Sequence, residues 1–275
     1  MSALRRSPAA VSGTVILVLL AVVAALSFLG LLPYDPIAQN PPERFLAPSG
    51  SHLFGTDQFG RDVFSRVAAG VGNSARIAVV AVAFATVAGT LGGLVSGFYR
   101  GLADGAIGGV TNVLFAFPPL LLALSLASVL ERNWFTVAVA IAIVYVPIFI
   151  RVTRGPVLSL REIEYVRAAV ATGQSRAQIM FRHVLPNITS IIVIQVALSL
   201  SWAVLTEASL SFLGLGTPPP APSLGSMIFE ARSLVFVAPW TLIAPGAVVV
   251  LLVVGLNLLG DGLRDTLDPR NRGKR

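Results

Sequence analysis

Apolar and polar positions along this chain separate into long blocks rather than alternating every two or four residues. Six apolar blocks, at about 13–32, 75–99, 106–130, 134–150, 188–214 and 240–260, approach or exceed the ~20 residues that cross ~30 Å of hydrocarbon at 1.5 Å per residue. Backbone N–H and C=O groups facing lipid must be paired within their own segment, so each block is predicted to be a helix rather than an open strand. Three connections are longer than tight turns: 33–73, with Pro41-Pro42 and an amphipathic stretch at 58–69; 151–187; and 217–239, which opens on Pro218-Pro219-Pro220. The first block follows Arg5 and Arg6 like a signal peptide. It is long for one, though, and Pro33-Tyr34-Asp35-Pro36 is a poor small-residue cleavage site, so a retained first helix is expected.

Composition agrees with the pattern. Only 12% of the 275 residues are charged, against about 25% in a typical soluble domain, and mean hydropathy is +0.81. The formal charge of +7 lies in short segments between apolar blocks, with no basic stripe carrying interleaved aromatics, so no nucleic-acid partner is expected. With the N-terminus inside, fourteen Lys and Arg fall on the inner side (Arg5, Arg6, Arg100, Arg151, Arg154, Arg161, Arg167, Arg176, Arg182, Arg264, Arg270, Arg272, Lys274 and Arg275) and six outside (Arg44, Arg61, Arg66, Arg76, Arg132 and Arg232). That excess predicts both termini in the cytoplasm. The chain has no cysteine and two histidines, His52 and His183, which leaves no thiol chemistry and no His-rich metal centre.

The segment between the fourth and fifth blocks is the most informative. Ile163, Val166 and Val170 recur at helical spacing, with Ala169 on the same face. Gly173 supplies a stop, and Ser175 with Gln178 forms an S-x-x-Q capping box that starts a second helix running to Pro186. Two short helices joined at a glycine make a compact knob, suited either to a groove on another protein or to the lipid headgroups.

Other residues carry two readings each. Glu207 lies about 19 residues, or ~29 Å, into the fifth block. It either lines a pathway or external gate, or is an interfacial carboxylate bonded to Ser209 or Ser211. Pro118-Pro119 and Pro147 kink their spans, as hinges or as static bends. Asp62 and Arg66, four apart in an external interfacial helix, are expected to pair. Gly89, Gly92, Gly93 and Gly97 form a small-residue face for close helix packing. The chain has no phosphate-binding loop, no H-E-x-x-H and no G-x-S-x-G, and no cofactor or enzymatic activity is expected. A self-sufficient secondary transporter would need ionisable groups at the bilayer midplane, where these blocks have almost none.

Ala168-Ala169, Gly173, Ile179 and Leu185-Pro186 resemble the EAA motif of ABC importer permeases, with Arg167 where the consensus has Glu. Three further stretches resemble the C-type subunit of the dipeptide and oligopeptide permeases: 52–66, beginning His52-Leu53-Phe54-Gly55-Thr56-Asp57; 207–216, Glu207-Ala208-Ser209-Leu210-Ser211-Phe212 onward; and Asn257-Leu258-Leu259-Gly260-Asp261-Gly262 with Leu267-Asp268-Pro269-Arg270. The resemblance implies an all-α polytopic membrane protein of about six helices with the type-1 permease fold. It divides into an N-terminal helix and external segment at 1–71, a permease core at 72–261 and a basic tail at 262–275. It further implies a subunit of an ATP-driven importer in a bacterial or archaeal cytoplasmic membrane. Arg167, Ala168, Ala169, Gly173, Ile179, Leu185 and Pro186 would then form the loop that couples to one or two cytoplasmic ATP-binding subunits. A homologous second permease and an external solute-binding protein would complete the assembly, embedded in membrane lipid. Dipeptides, oligopeptides, glutathione, nickel chelates and haem all fit the resemblance as cargo.

Overall fold

The computed structural model describes residues 8–267, and these are all-helical. The helices are α1 (Pro8–Phe28), α2 (Val63–Tyr99), α3 (Gly101–Phe115), α4 (Pro119–Val129), α5 (Trp134–Leu160), α6 (Glu164–Ala171), α7 (Arg176–Ile179), α8 (Leu185–Phe212), α9 (Leu224–Ala231) and α10 (Trp240–Leu267). The predicted residues Arg5, Arg6, Asp268, Pro269, Arg270, Arg272, Lys274 and Arg275 lie outside the described residues.

Five helical runs are long and apolar enough to cross a membrane, and α3 with α4 make a sixth that is bent by 93°. The bent pair must cross, because α2 and α5 pack parallel. A side chain at Gly89 would meet Phe149, one at Gly93 would meet Thr153 and one at Gly97 would meet Val157, each within 2.8 Å. The contacts advance in the same direction on both helices, so the chain between them has to return. The same glycines explain the closeness: without Cβ atoms the two backbones approach until side chains of α5 touch the α2 main chain. A second seam of small residues joins α1 to α10, where added Cβ atoms at Gly13 and Gly262 would fall 2.7 Å from Gly255 O and 2.2 Å from Ala10 Cβ. One end of the bundle therefore carries residues 29–62 and 213–239, a cap. The opposite end carries the start of α1, the end of α10 and α6–α7, a knob.

The element boundaries differ from the sequence expectation where polar residues are buried. Helix α2 begins at Val63, not near residue 75, so the amphipathic stretch at 58–69 is no separate interfacial helix. Asp62 is its N-cap, accepting from Ser65 N at 2.7 Å. The expected Asp62–Arg66 pair is replaced: Asp62 Oδ2 lies 2.9 Å from His52 Nδ1, and Arg66 turns to Asp57 and Glu230. An N-cap residue has extended backbone angles, so its side chain folds back over the first turn rather than along the i,i+4 row. Helix α5 runs ten residues past the expected end at 150, through Pro147 and Pro156, and α10 continues past Gly260. At Pro118-Pro119 the predicted bend is a complete interruption, with α3 ending at Phe115. Pro186, expected to separate two helices, sits inside one run from 176 to 212. A π turn at Met180–Val184, in which Leu185 N donates to Met180 O, shifts the hydrogen-bond register just ahead of the missing proline N–H.

Candidate functional site: a knob, a polar stripe and a capped end

The knob is built on a small core of its own. Leu94, Val157, Val166, Ala169, Ile179, Met180, Val184 and Ile188 cluster together, tying α6 and α7 onto the ends of α2, α5 and α8. Helix α6 closes at Gly173, whose φ is +79°, with Gly173 N donating to Val170 O and Gln174 N to Ala169 O. That bond pair satisfies carbonyls the last turn would leave bare, and it needs a left-handed residue at 173. Ser175 then caps α7, accepting from Gln178 N at 3.2 Å. His183 Nε2 lies 3.1 Å from Gln174 Oε1, and Asn187 Nδ2 donates to Tyr165 O–H at 3.2 Å, so both turns of the knob are braced against the start of α8.

The sequence-derived knob residues divide into two groups. Ala169 and Ile179 are buried and Leu185 packs against the same core, whereas Arg167, Ala168, Gly173 and Pro186 are exposed. The apolar arc of α6 is wider than the part that is covered. Val166 and Ala169 face inward, but Ile163 and Val170, expected on that face, are 42% and 55% exposed. Seven residues are nearly two turns, so Ile163 and Val170 share one edge of the helix. Tyr165 and Phe181 are exposed as well. This outward apolar set, apart from Ile163 and Val170 themselves, was missed in the sequence; aromatics beside a capping box were its signal.

Behind the knob, Arg154 grips Asp104 through Nε and Nη2, both at 2.7 Å, joining α5 to α3, and Arg161 Nη1 donates to Phe98 O at 2.7 Å. Planar, two-point contacts of this kind fix orientation as well as distance.

A second feature runs along the middle of the molecule. Gln195, Ser199, Trp202, Thr206 and Ser209 follow one another at +4, +3, +4 and +3, which is one face of α8 over about 21 Å. With Leu198 and Leu205 of the same helix they line a cleft of about 570 Å³ whose other walls are Val144, Tyr145 and Ile148 of α5 and Pro119-Leu120 at the start of α4. Tyr145 O–H and Thr206 Oγ1 lie 3.3 Å apart, and Gln195 Nε2 donates to Ser199 Oγ at 3.1 Å. Trp202 is 62% exposed. The stripe was legible as a period in the sequence and was not picked out there.

Glu207 faces away from that cleft. It is fully buried between α2 and α8, accepting from Ser74 Oγ at 2.7 Å and Ser211 Oγ at 2.6 Å. Next to it, the cap holds an ionic cluster. Arg61 donates to Asp57 at 2.6 Å and to Glu230 at 2.8 Å, and Arg66 reaches Glu230 at 3.3 Å, Asp57 at 3.6 Å and Pro36 O at 3.2 Å. His52, between Asp62 and Glu43, stacks on Tyr34, and Trp240 Nε1 donates to Thr56 O at 3.0 Å, pinning the cap to α10.

Residues 89–273 match the model of the binding-protein-dependent transport system inner membrane component family, and residues 1–48 match that of the N-terminal TM domain of oligopeptide transport permease C. The dipeptide transport system permease protein DppC of Alkalihalophilus pseudofirmus is 40% identical over 268 residues, covering 97% of this chain and 88% of that protein. The glutathione transport system permease protein GsiD of Pectobacterium atrosepticum is also 40% identical over 268 residues, with the same coverage. Among solved structures, the MetNI methionine ABC transporter in an inward-facing conformation superposes with a TM-score of 0.60 at 18% identity, over 73% of this chain and 96% of that one. At that identity the likeness speaks for the fold.

Proposed function

This chain belongs to the family of binding-protein-dependent transport system inner membrane components, and we propose that it moves short peptides across the cytoplasmic membrane as the C-type permease of an ABC importer. Relatives named for dipeptides and for glutathione, a tripeptide, support that cargo class. As a multi-pass permease subunit it has no enzymatic role of its own; nucleotide hydrolysis falls to ATP-binding subunits, and a substrate-binding protein delivers the solute. On this reading the partner set is one homologous permease and one or two ATPase subunits, and both termini are cytoplasmic, an orientation that the arginine excess at the knob end supports.

One observation carries the coupling assignment. The knob projects beyond the spans, is braced by its own core, and leaves Ile163, Tyr165, Val170 and Phe181 exposed. An apolar patch outside the bilayer on a rigid support is a protein-docking surface. The ATP-binding subunits seat there, around Arg167, Ala168 and Gly173, with Ala169, Ile179, Leu185 and Pro186 holding the loop to the spans. Closure of the ATPase dimer pulls the knob and, through α5 and α8, the cleft walls; the bias comes from contacts that differ between the two states. Arg167 in place of a carboxylate means that this contact uses a cation. Glu207 acts as a latch of the external gate, binding α2 to the end of α8.

The test uses the assembled complex in proteoliposomes. Val170→Asp and Phe181→Asp should abolish ATP-driven dipeptide uptake and strip the ATPase subunits from the purified permease pair, while melting temperature stays within a few degrees of the parent. Both positions are exposed, so a fold defect is not built into the design. Full uptake with both substitutions would remove the assignment.

A further inference from the structure

The stripe on α8 bears on what the permease can recognise. Its five side chains offer hydroxyl, amide and indole groups, and among the described residues lining the cleft there is no Asp, Glu, Lys, Arg or His. Other outward faces of this chain are different. Ser12 and Thr14, exposed near the start of α1, turn their hydroxyls onto Ala9 O and Ala10 O; beyond them the exposed positions of α1 include Val15, Val18, Leu19, Val22 and Leu26, none of which can hydrogen-bond through its side chain. The hydroxyls of Thr206 and Ser209 donate to Trp202 O and Leu205 O of their own helix, whereas the Gln195 amide and the Tyr145 phenol are polar groups lining the cleft, and polar groups of this kind at membrane depth face a cavity or a path.

Resting on the permease reading above, we propose that this wall is a solute-contact subsite that takes the amide-bearing, net-neutral body of a short peptide. Trp202 sits at the midpoint of the stripe, with Gln195 and Ser199 towards the knob and Thr206 with Tyr145 towards the cap. Glutamine, serine, threonine and tyrosine each donate and accept, which matches a backbone that offers one N–H and one C=O per residue. The exposed indole gives a flat apolar face for a side chain of any sequence. The absence of fixed charge has its own consequence. A counter-ion for the peptide ammonium or carboxylate, in a medium of low dielectric, would hold the solute tightly; an uncharged wall lets it enter and leave. The volume of about 570 Å³ falls within the usual range of small-ligand sites.

Because the chain lacks cysteine, single cysteines in this subunit report without background. In the full complex in lipid nanodiscs, with native cysteines of the partner subunits removed, Thr206→Cys and Ser209→Cys, both half-buried, should react with a charged, membrane-impermeant thiosulfonate, and dipeptide with binding protein and ATP should slow the reaction. Val18→Cys and Val22→Cys on α1 should stay unreactive. Reaction of the stripe only with a bilayer-soluble maleimide makes it a lipid face, and reaction with neither reagent makes it a buried contact with the second permease; either result overturns the proposal. In proteoliposomes Gln195→Glu, a change of one atom type, should raise the uptake ratio of a lysine-containing over a glutamate-containing dipeptide about tenfold, as one fixed charge beside the path requires. An unchanged ratio with normal uptake also overturns it. A parent complex that moves no dipeptide at all would instead sink the permease reading, independently of the stripe.

Discussion

The cap and the knob are the two ends of one bundle; both leave apolar side chains outside, Phe236 and Val237 among those at the cap, but they differ in how they hold their charges. At the cap, two arginines and two carboxylates come from a loop, the first turn of α2 and α9, yet Asp57, Arg61 and Arg66 are at most 7% exposed and every one finds its counter-ion in this chain. At the knob, Arg167 and Arg182 lie exposed, and Ile163, Tyr165, Val170 and Phe181 are each at least 42% exposed, although Tyr165 O–H still accepts from Asn187. A finished network needs no second molecule to be stable. An open apolar patch on a braced support is finished only by a partner. The contrast separates what this chain does for its own fold from what it contributes to an assembly, and it can be broken at the cap first.

Arg66→Met should produce the largest loss of stability of any single change considered. The side chain is 2% exposed, and without it Asp57 and Glu230 face Arg61 alone, an excess negative charge in a site with little water. Breaking a buried ion network from one side typically costs about 3–5 kcal/mol. Thermal unfolding of the purified complex, followed by loss of Trp fluorescence change or by aggregation, should shift down by several degrees or the protein should fail to accumulate. Arg66→Lys should recover part of the loss only, because a point charge cannot reach Asp57, Glu230 and Pro36 O in three directions as the guanidinium does. A melting temperature unchanged in Arg66→Met would mean that the cap is a surface ornament, and the comparison would fall.

The spans themselves were legible as apolar blocks, because lipid imposes a length and a composition that few other environments do. Their ends were not, and the failures are of one kind. Hydropathy reads charge as an end of the membrane, so α2 was cut near residue 75 and α5 near 150, although Arg66 and Arg154 are carried inside helices by Glu230 and Asp104. Counter-ions more than forty residues away in sequence cannot be seen by a local window. The first knob helix and the glycine that ends it were read correctly, since caps and stops are local, but the second helix does not end at Pro186 and runs on into α8. Which of the knob's apolar residues face outward was not legible, because Val166 and Val170 have the same chemistry and differ only by what the bundle places beside them. The polar stripe of α8 was readable by period alone, but four of its five residues are Ser, Thr or Trp, which fall near neutral in a hydropathy profile, so the block reads as uniformly apolar.

Glu207→Ala tests the intermediate case, a buried polar group at the cap end that has no cation. The carboxylate holds Ser74 on α2 and Ser211 on α8, and removing it leaves two buried hydroxyls without an acceptor and a small void. The expected loss is about 1–3 kcal/mol, smaller than at Arg66 because hydroxyls are cheaper to strand than charges. Glu207→Gln keeps one carbonyl acceptor and should recover most of the stability. If the latch reading is right, Glu207→Ala should also raise basal ATP hydrolysis in the absence of binding protein, whereas Glu207→Gln should not. Equal basal rates in all three proteins would confine Glu207 to packing.

Gly173→Ala sharpens the comparison at its other end, since it should cost little and matter much. Residue 173 has φ +79°, and an added Cβ would meet no atom within 4 Å, so the penalty is conformational and not steric. Holding alanine in the left-handed region costs roughly 1–2 kcal/mol, and the strain is local to the turn that joins α6 to α7. The knob sits at the end of the bundle, so global melting should hardly move, as expected for a segment whose opening is uncoupled from the rest. On the proposed coupling role, dipeptide uptake should nevertheless drop by more than the stability change alone allows, because an ATPase docked there would depend on both halves of the knob keeping their angle. Gly173→Asn, which tolerates positive φ, should restore uptake towards the parent level. Equal uptake in the alanine and asparagine variants would show that the docking partner reads the exposed side chains and not the turn that presents them.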